Sequence, residues 1–471
     1  MSKKTCYWYD YESFGLNPMT DRLSQFAGVR TDEDLNIIGE PLMIYCKPAD
    51  DFFPSPMSCL ITHITPQQAA EKGLPEAEFI RQINEEFSVP NTCVLGYNNL
   101  RFDDEFTRHV LYRNLMDPYA REWQNGCTRW DLLDVVRMTR ALRPEGIEWP
   151  TNDEGRPSVR LEDLTVANGI AHESAHDALS DVYATIAVAK LIKEKQPKLF
   201  EYAYNNRSKR KLGELLSLRD QKPVIHVSGM YPAEQGNMAV VVPVAEHPTN
   251  KNGIVVYDLS ADPTDLINLG VKKIHERMFT PKDELPEGVN RIPLKTVHIN
   301  KCPIIAPFMT LDGKAAKKYG IDLNLCGQNL ATIQSAKGLA KKVQQVLSET
   351  QFEKRTDPDH MLYGGGFFSP TDKSAMEQVH KVAPEELANA TFSFEDKRLP
   401  EMLFRMRARN YPETLTAEER ERWQTFRKER LDLEPYLAEL DELRTAPERT
   451  GEEWAILDEL ETYARSLVAE L

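Results

Sequence analysis

Residues 7–12 read YWYDYE, an aromatic run with the composition of a buried β-strand that nevertheless contains two carboxylates, Asp10 and Glu12. Successive side chains on a strand point to opposite faces, so both acids lie on the same face. Burying two like charges side by side is costly unless a cation lies between them. The pattern therefore predicts either a metal site on a buried strand, or a strand that frays at Asp10 and leaves both acids solvated ahead of Gly15 and Pro18.

The first 196 residues alternate strand-like and helix-like stretches, which is typical of an α/β domain. The strand-like stretches are residues 7–12, 23–31, 38–48 and 93–99, and the helix-like ones are residues 75–87, 102–115 and 176–196. Pro197 ends the last of these helices.

The predicted secondary structure changes further along the chain. Short β-rich pieces separated by Gly, Pro and Asn occupy residues 223–307 and predict a small barrel or a compact antiparallel sheet. Residues 313–349 are helix-like, and so is the charge-rich remainder after the turn-like sequence YGGGF. We therefore expect three domains: an α/β domain at 1–196, a barrel domain with helices at 197–350 and a helical domain at 351–471.

Composition excludes several classes of protein. No segment of the 471 residues approaches the ~20 consecutive apolar residues that a membrane helix needs, so we expect a cytoplasmic protein without a membrane partner. The seven cysteines are odd in number and form no C-x-x-C pair, which indicates reduced thiols and argues against a zinc site.

The distribution of charge is more informative than the net charge of −15. Residues 101–160 contain ten arginines and no lysine. Arginine is suited to bidentate contacts with phosphate, whereas lysine would serve equally well for solubility alone. The arginines therefore indicate either a nucleic-acid surface or a set of solvated helix faces.

Further acids and a histidine lie at the starts of two predicted helices. Asp103 falls in the first turn of one, and His176 and Asp181 stand at the start of another. Four converging carboxylates would bind two divalent cations about 4 Å apart, which is an arrangement for phosphodiester cleavage. Oxygen ligands favour Mg²⁺ or Mn²⁺ over zinc, and a neutral histidine could accept a proton from water. Taken singly, Asp103 in a first turn is also explained by the helix dipole, and His176 is also typical of an ordinary helix start.

The ordered motifs D-x-E, N-x-x-F-D and H-x-x-x-x-D resemble the DEDDh group of the DnaQ-like 3′-to-5′ exonuclease superfamily. The stretches LGYNNLRFDDEFTR, RWDLLDVVR, HVSGM and FRMRARNYP resemble the bacterial exodeoxyribonuclease I family, and the resemblance extends over nearly the whole chain. It implies an α/β ribonuclease H-like exonuclease domain, an SH3-like β-barrel domain and an α-helical C-terminal domain that clasp single-stranded DNA. The implied activity is Mg²⁺-dependent, processive 3′-to-5′ degradation of that DNA to 5′-mononucleotides, in repair and recombination.

The resemblance also assigns roles to residues. Asp10, Glu12, Asp103 and Asp181 would be the catalytic acids that hold two Mg²⁺ ions, which Mn²⁺ can replace, and His176 would be the general base. The superfamily often has Thr after the Glu, whereas this chain has Ser13. The resemblance further implies recognition of the acidic tail of a single-stranded DNA-binding protein, with Arg143 and Lys222 as candidate pocket residues. We expect a monomer.

Candidate DNA contacts combine cations with aromatic rings, because single-stranded DNA can be held by its backbone and by base stacking. Tyr119 and Trp123 are four residues apart and would share one side of a helix. The set of candidates is Tyr119, Trp123, Arg108, Arg137, Arg143 and Arg160. The alternative for Trp123 is a place in the core. The sequence THITP at 62–66 resembles the superfamily loop that contacts the terminal nucleotide, but Thr65-Pro66 is also a good helix start.

Two other functions remain open at this point. An RNA-trimming relative such as oligoribonuclease or ribonuclease T would share the acidic motifs, although such chains are compact single domains. A scaffold that binds single-stranded DNA without cutting it would share the surface, although all five catalytic candidates are present in this sequence.

Overall fold

The computed structural model describes residues 3–172, 177–348, 355–447 and 449–471. The chain forms two compact units, each assembled from separate segments. Unit 1 comprises Met1–Thr128, His172–Ile186 and Lys354–Leu471, and unit 2 comprises Arg129–Ala171 and Ala187–Glu353.

The strands of the described residues, in chain order, are β1 (Thr5–Ser13), β2 (Leu23–Thr31), β3 (Leu42–Tyr45), β4 (Thr92–Gly96), β5 (Thr128–Asp131), β6 (Val224–Val227), β7 (Met238–Glu246), β8 (Gly253–Asp258), β9 (Leu294–His298) and β10 (Ile304–Pro307). The first five helices are α1 (Pro56–Thr62), α2 (Pro66–Lys72), α3 (Glu76–Phe87), α4 (Asp103–Arg113) and α5 (Leu132–Leu142). The next are α6 (Leu161–Ala167), α7 (Ala178–Lys195), α8 (Pro197–Asn205), α9 (Lys209–Leu215) and α10 (Thr264–Asn268). Then follow α11 (Val271–Phe279), α12 (Gly313–Lys318), α13 (Leu323–Ser335), α14 (Leu339–Ser348) and α15 (Pro370–Val379). The last are α16 (Leu399–Asn410), α17 (Ala417–Arg430), α18 (Leu433–Arg444) and α19 (Gly451–Ala469).

The first sheet places β1 at its centre, in the order β3-β2-β1-β4-β5. Strand β1 pairs antiparallel with β2 and parallel with β4. Tyr9 and Tyr11 point into a core that contains Phe26 and Phe87, and this aromatic packing explains why the run forms a strand. The third strand is shorter than predicted, because Gly39 has φ 80° and Pro41 precedes the pairing residues.

The strand does not fray at its acids. Asp10 pairs in register with Ala27 and Glu12 with Gln25, so both lie inside the ladder. The alternative of a solvated loop at these two residues is wrong, because strand pairing continues through Ser13.

The C-terminal helices of unit 1 complete a second core with residues that follow β1. Phe14 and Leu60 pack in one cluster with Leu440 of α18 and with Leu457 and Leu460 of α19. The prediction of a helical C-terminal region is confirmed, and its helices share an apolar core with residues from the first part of the chain. Such shared burial makes independent folding of the last helices unfavourable.

Unit 2 contains a separate antiparallel sheet in the order β10-β6-β7-β8-β9. Its inner face buries Val224, Val241, Val256 and Ile305. The prediction of a compact antiparallel sheet is confirmed, and its last two strands, β9 and β10, are separated by a short turn. The chain reverses there through Cys302, whose φ is 45°, so that β10 pairs with β6.

The domain boundaries predicted at residues 196 and 350 remain a prediction. Within the described ranges, no helix combines the length and the apolar character that crossing a bilayer requires.

Candidate active site

Three carboxylates from two elements of unit 1 come together. Asp10 and Glu12 project from β1, and Asp181 lies in the first turn of α7. One carboxylate oxygen from each of the three lies within 4.8 Å of the other two. This spacing is suited to shared coordination of a divalent cation.

Asp103 is the fourth predicted acid, and it lies buried in the first turn of α4. It does not belong to the group within 4.8 Å that the described residues form, but its charge acts on the group. Repulsion from Asp103 contributes to raising the pKa of both Asp10 and Glu12. The structure therefore gathers all four predicted acids in one electrostatic neighbourhood.

Burial and repulsion between neighbouring acids raise the pKa of both carboxylates on β1. Burial is the largest cause of the raised pKa of Glu12, which reaches about 9, and the charges of Asp181 and Asp103 add to it. The pKa of Asp10 is also well above its usual value, chiefly through burial and then through Asp103 and Glu12. A divalent cation would relieve this repulsion, and hard oxygen donors fit Mg²⁺ or Mn²⁺.

The sequence reasoning missed one histidine near the site. The Nε2 atom of His172 lies 2.5 Å from Oδ1 of Asp181. The signal was present in HESAH, which contains two histidines, but the family motif selects the second one. His176 lies outside the described residues, so its proposed role as general base stays a prediction.

The loops beside the cluster are held by local hydrogen bonds. The hydroxyl of Ser13 donates to the carbonyl oxygen of Gly15 at 2.7 Å, which accounts for the presence of a hydroxyl residue at this position. Thr65 caps α2 by accepting a hydrogen bond from the backbone of Gln68, and Pro66 follows as the first helical residue. The interpretation of Thr65-Pro66 as a helix start is confirmed, and the nucleotide contact of this loop stays a prediction.

The segment that carries Tyr119 and Trp123 is not an α-helix. Two short 3₁₀ turns, Ala120–Glu122 and Gln124–Gly126, flank Trp123, whose backbone at φ −149° and ψ −22° is not α-helical. The prediction that the two rings share one side of a helix is therefore wrong. Trp123 is 66% exposed, so its assignment to the core is also wrong, whereas Tyr119 is half-buried against Phe367.

The arginine-rich stretch proves to be partly internal. Five of its ten arginines are buried: Arg108, Arg113, Arg121, Arg129 and Arg140. Arg113 pairs with Glu76, and Arg108 pairs with both Glu105 and Glu122. Solvated helix faces are thus the wrong description of these five, because their buried guanidinium groups pair with acids or donate to carbonyl oxygens. A DNA contact by Arg108 stays a prediction.

The other three candidate arginines belong to unit 2. Arg137 forms an ion pair with Asp134, and Arg160 is exposed immediately before α6. Arg143 lines a pocket of about 360 Å³ together with Lys198 and Tyr202. Lys222 lines a neighbouring pocket of about 430 Å³, and the two pockets share Pro307.

Family models match three successive parts of the chain. The model described as Exonuclease matches residues 7–189. The Exonuclease I SH3-like domain matches residues 207–349, and the Exonuclease I C-terminal domain matches residues 356–467.

Several known relatives match the chain over nearly its whole length. It is 48% identical to Exodeoxyribonuclease I of Haemophilus influenzae over 464 residues, which is 98% of each chain. Escherichia coli Exonuclease I in complex with a dA16 oligonucleotide has the same fold, with a TM-score of 0.96 at 46% identity over 99% of this chain and 100% of that chain. A zinc-bound complex of the E. coli protein with single-stranded DNA gives a TM-score of 0.95 at the same identity and coverage.

A further solved structure is described as SSB/Exonuclease I in complex with an inhibitor. It has a TM-score of 0.92 at 44% identity, over 99% of this chain and 100% of that chain. The fold is therefore an exonuclease domain, an SH3-like domain and a helical C-terminal domain. Together with its buried carboxylates, this similarity shows that the chain belongs to the exodeoxyribonuclease I family of exonucleases.

Proposed function

We propose that this exonuclease removes 5′-mononucleotides from the 3′ end of single-stranded DNA in a reaction that depends on divalent metal ions. The observation that carries the proposal is the group of Asp10, Glu12 and Asp181, in which Glu12 is buried and one oxygen from each residue lies within 4.8 Å of the others. The similarity to an E. coli protein that was solved with a dA16 oligonucleotide supports single-stranded DNA as the substrate.

Asp10, Glu12, Asp103 and Asp181 would hold two Mg²⁺ ions, and Mn²⁺ could replace them. Bound cations of this kind stabilise the attacking and leaving oxygens of a phosphodiester. The carboxylates themselves must shed their protons before a cation binds, because burial and repulsion raise the pKa of Asp10 and Glu12. The side chain of His172 adjoins Asp181, so it would help to orient that carboxylate.

His176 would accept the proton from the attacking water, as the resemblance to the superfamily implies. An imidazole is suited to this step, because its usual pKa is close to neutral pH. The position of His176, five residues before Asp181, supports the proposal by sequence alone.

The DNA strand would be held by cations and by at least one exposed ring. Trp123 is the strongest candidate for base stacking, since two-thirds of its surface is exposed in a segment adjoining α4. Arg137 and Arg160 would contact backbone phosphates. We further propose that degradation is processive, that the protein acts as a monomer, and that it serves DNA repair and recombination.

A single-stranded DNA-binding protein would be a partner through its acidic tail. The two neighbouring pockets of unit 2 support this proposal, because each combines a cation with apolar surface. One contains Arg143 and Lys198, and the other contains Lys222 with Phe308 and Met309. An acidic peptide with an apolar terminus would satisfy both properties.

The decisive experiment compares release of mononucleotides from 3′-labelled single-stranded DNA and RNA of the same sequence, with Mg²⁺, with Mn²⁺ and with EDTA. We expect rapid release from DNA only when metal is present, and almost none from Asp10→Asn although it still binds DNA. Glu40→Gln is the matched control, because Glu40 is exposed and remote in sequence from the motifs. Faster loss of RNA would favour an RNA-trimming enzyme, and binding without cleavage by the wild type would favour a scaffold.

A further inference from the structure

Asp104 is adjacent in sequence to the proposed metal ligand Asp103, but it faces a different environment. Consecutive residues on a helix point about 100° apart. Asp104 is fully buried, and its Oδ1 atom accepts a hydrogen bond from Nη2 of Arg121 at 2.7 Å. Of the two acids in the sequence FDDEF, Asp104 therefore forms an ion pair within the protein, whereas Asp103 is the proposed metal ligand.

The ion pair between Asp104 and Arg121 is entirely excluded from solvent. Both side chains are 0% exposed, and the Nε and Nη1 atoms of Arg121 are buried without a hydrogen-bond partner. A buried ion pair of this kind is a poor source of stability, because desolvation of the two charges offsets their attraction. The pair instead fixes the relative positions of the two segments that it joins.

The strand that carries two metal ligands is tied to the same pair. Tyr9 donates a hydrogen bond to Oδ1 of Asp104 at 3.1 Å. The hydroxyl of Tyr11 lies 3.2 Å from the hydroxyl of Thr107, which is also 2.8 Å from the carbonyl oxygen of Asp103. The tyrosines flank Asp10 on β1, so residues on the opposite face of the acidic strand set the position of α4.

A second ion pair attaches the segment that carries Trp123 to α4, and in this pair the helix supplies the cation rather than the acid. Arg108 of α4 donates to Glu122 at 2.8 Å, while Asp104 of α4 accepts from the adjacent Arg121. A shift of the segment by one residue would bring like charges together, so the crossed pairs specify a single register.

We infer that Asp104 and Arg121 are positioning residues that place Asp103 against Asp10 and Glu12, and that they fix the Trp123 segment through the same contact. The inference rests on the proposed metal site. It predicts that loss of the pair weakens metal binding even where the fold is preserved.

The test uses the full chain with Asp104→Asn, Arg121→Met and the double variant. Binding of Mn²⁺ alone is measured by calorimetry, thermal unfolding is measured on the metal-free proteins, and kcat and KM are measured on an oligonucleotide. We expect each single variant to bind Mn²⁺ about ten-fold more weakly, as is typical when groups that support metal ligands are removed. The double variant should regain much of the Tm that Asp104→Asn loses, because no unpaired charge stays buried, but its Mn²⁺ affinity should remain weak and its kcat low.

Glu78→Gln with Arg81→Met is the control, because it removes an ion pair on the surface of α3 and should change neither quantity. Mn²⁺ affinity that is unchanged in the folded variants, or that recovers together with Tm, would overturn the inference. If Asp104→Asn does not fold, Tyr9→Phe removes only one hydrogen bond and must still weaken Mn²⁺ binding. If the wild type binds no Mn²⁺, or if Asp10→Asn binds it as well as the wild type does, the proposed metal site fails instead.

Discussion

Arg409 donates a hydrogen bond from Nη2 to Oδ2 of Asp51 at 2.8 Å, although the two residues are 358 positions apart. Arg22 and Arg430 also approach Asp51, at 3.5 Å and 3.8 Å. The backbone carbonyl of Arg22 in turn accepts a hydrogen bond from Phe14, just after the acidic strand. A helix of the C-terminal region thus supports the end of the strand that carries the proposed metal ligands.

Replacement of Asp51 by Asn should destabilise the protein severely. Three guanidinium groups would lose a fully buried carboxylate, and breaking such a pair costs about 3–5 kcal/mol. Urea unfolding followed by circular dichroism measures the change in the free energy of unfolding. Glu85→Gln, at an exposed ion pair, is the control and should change it by less than about 1 kcal/mol. An equally small effect for Asp51→Asn would contradict the role of this network.

The stability of the metal-free protein should fall as pH rises. The carboxyl of Glu12 has a pKa of about 9 in the folded chain because of burial and neighbouring acids, whereas an unfolded Glu has a pKa of about 4.3. The folded state therefore holds this proton more tightly, and its stabilising effect is present at low pH and is lost as pH rises towards 9.

Thermal unfolding in EDTA across this pH range measures the effect. Glu12→Gln should flatten the decline, and added Mn²⁺ should reverse it, because cations bind the ionised cluster. A metal-free Tm that is the same for the wild type and Glu12→Gln at every pH would contradict the repulsion described here.

Loss of the Trp123 ring should weaken DNA binding without harming the fold. Stacking of one base on an aromatic ring contributes about 1–3 kcal/mol, so Trp123→Ala should raise Kd for a single-stranded oligonucleotide at least several-fold. Fluorescence anisotropy in EDTA, which prevents cleavage, measures binding. Trp123→Phe should retain most of the affinity, and an unchanged Kd for Trp123→Ala would exclude the ring as a stacking surface.

Charge reversal in the two pockets of unit 2 should weaken capture of an acidic tail. Arg143→Glu and Lys222→Glu should each weaken binding of a peptide with the acidic C-terminal sequence of a single-stranded DNA-binding protein, more steeply at low salt. Cleavage of naked DNA is measured in parallel and separates the partner site from the DNA path. Lys282→Glu, on an exposed turn, is the control. Unaffected peptide binding would remove both residues from the site.

Removal of the imidazole at position 176 should slow the reaction on the order of 10²-fold or more, as expected for a general base. Single-turnover cleavage at saturating metal measures the chemical step directly. His172→Gln provides the comparison, because His172 contacts Asp181 and should act mainly on metal affinity. A His176→Ala variant with full rate at neutral pH would exclude its assigned role.

Only part of the acidic site was predictable from residues that are close in sequence. Asp10 and Glu12 had to share a face because side chains alternate along a strand. That Asp103 and Asp181 join them was implied only by the resemblance to the exonuclease superfamily. The positions of Tyr119 and Trp123 were predicted wrongly. Their spacing suggested a helix, but the segment between them folds into short turns anchored by Arg121 and Glu122.

The local sequence pattern did not predict which arginines would be buried and which would be exposed. Residue type alone cannot distinguish Arg121, which is buried against Asp104, from Arg160, which is exposed. Both are charged and both lie in the same arginine-rich stretch. Only the tertiary contacts of each arginine decide whether its guanidinium group forms an ion pair within the protein or remains exposed to bind a ligand.

By itself, the amino-acid sequence determined the strands, the helices and the acidic motifs, because periodicity and side-chain chemistry act over a few residues. Tertiary structure alone decided that helices near residue 440 and 457 would complete the core around Phe14, and that Arg409 would reach Asp51. Such contacts depend on which apolar surfaces are buried against each other, and a short stretch of sequence does not show which distant segment will cover it.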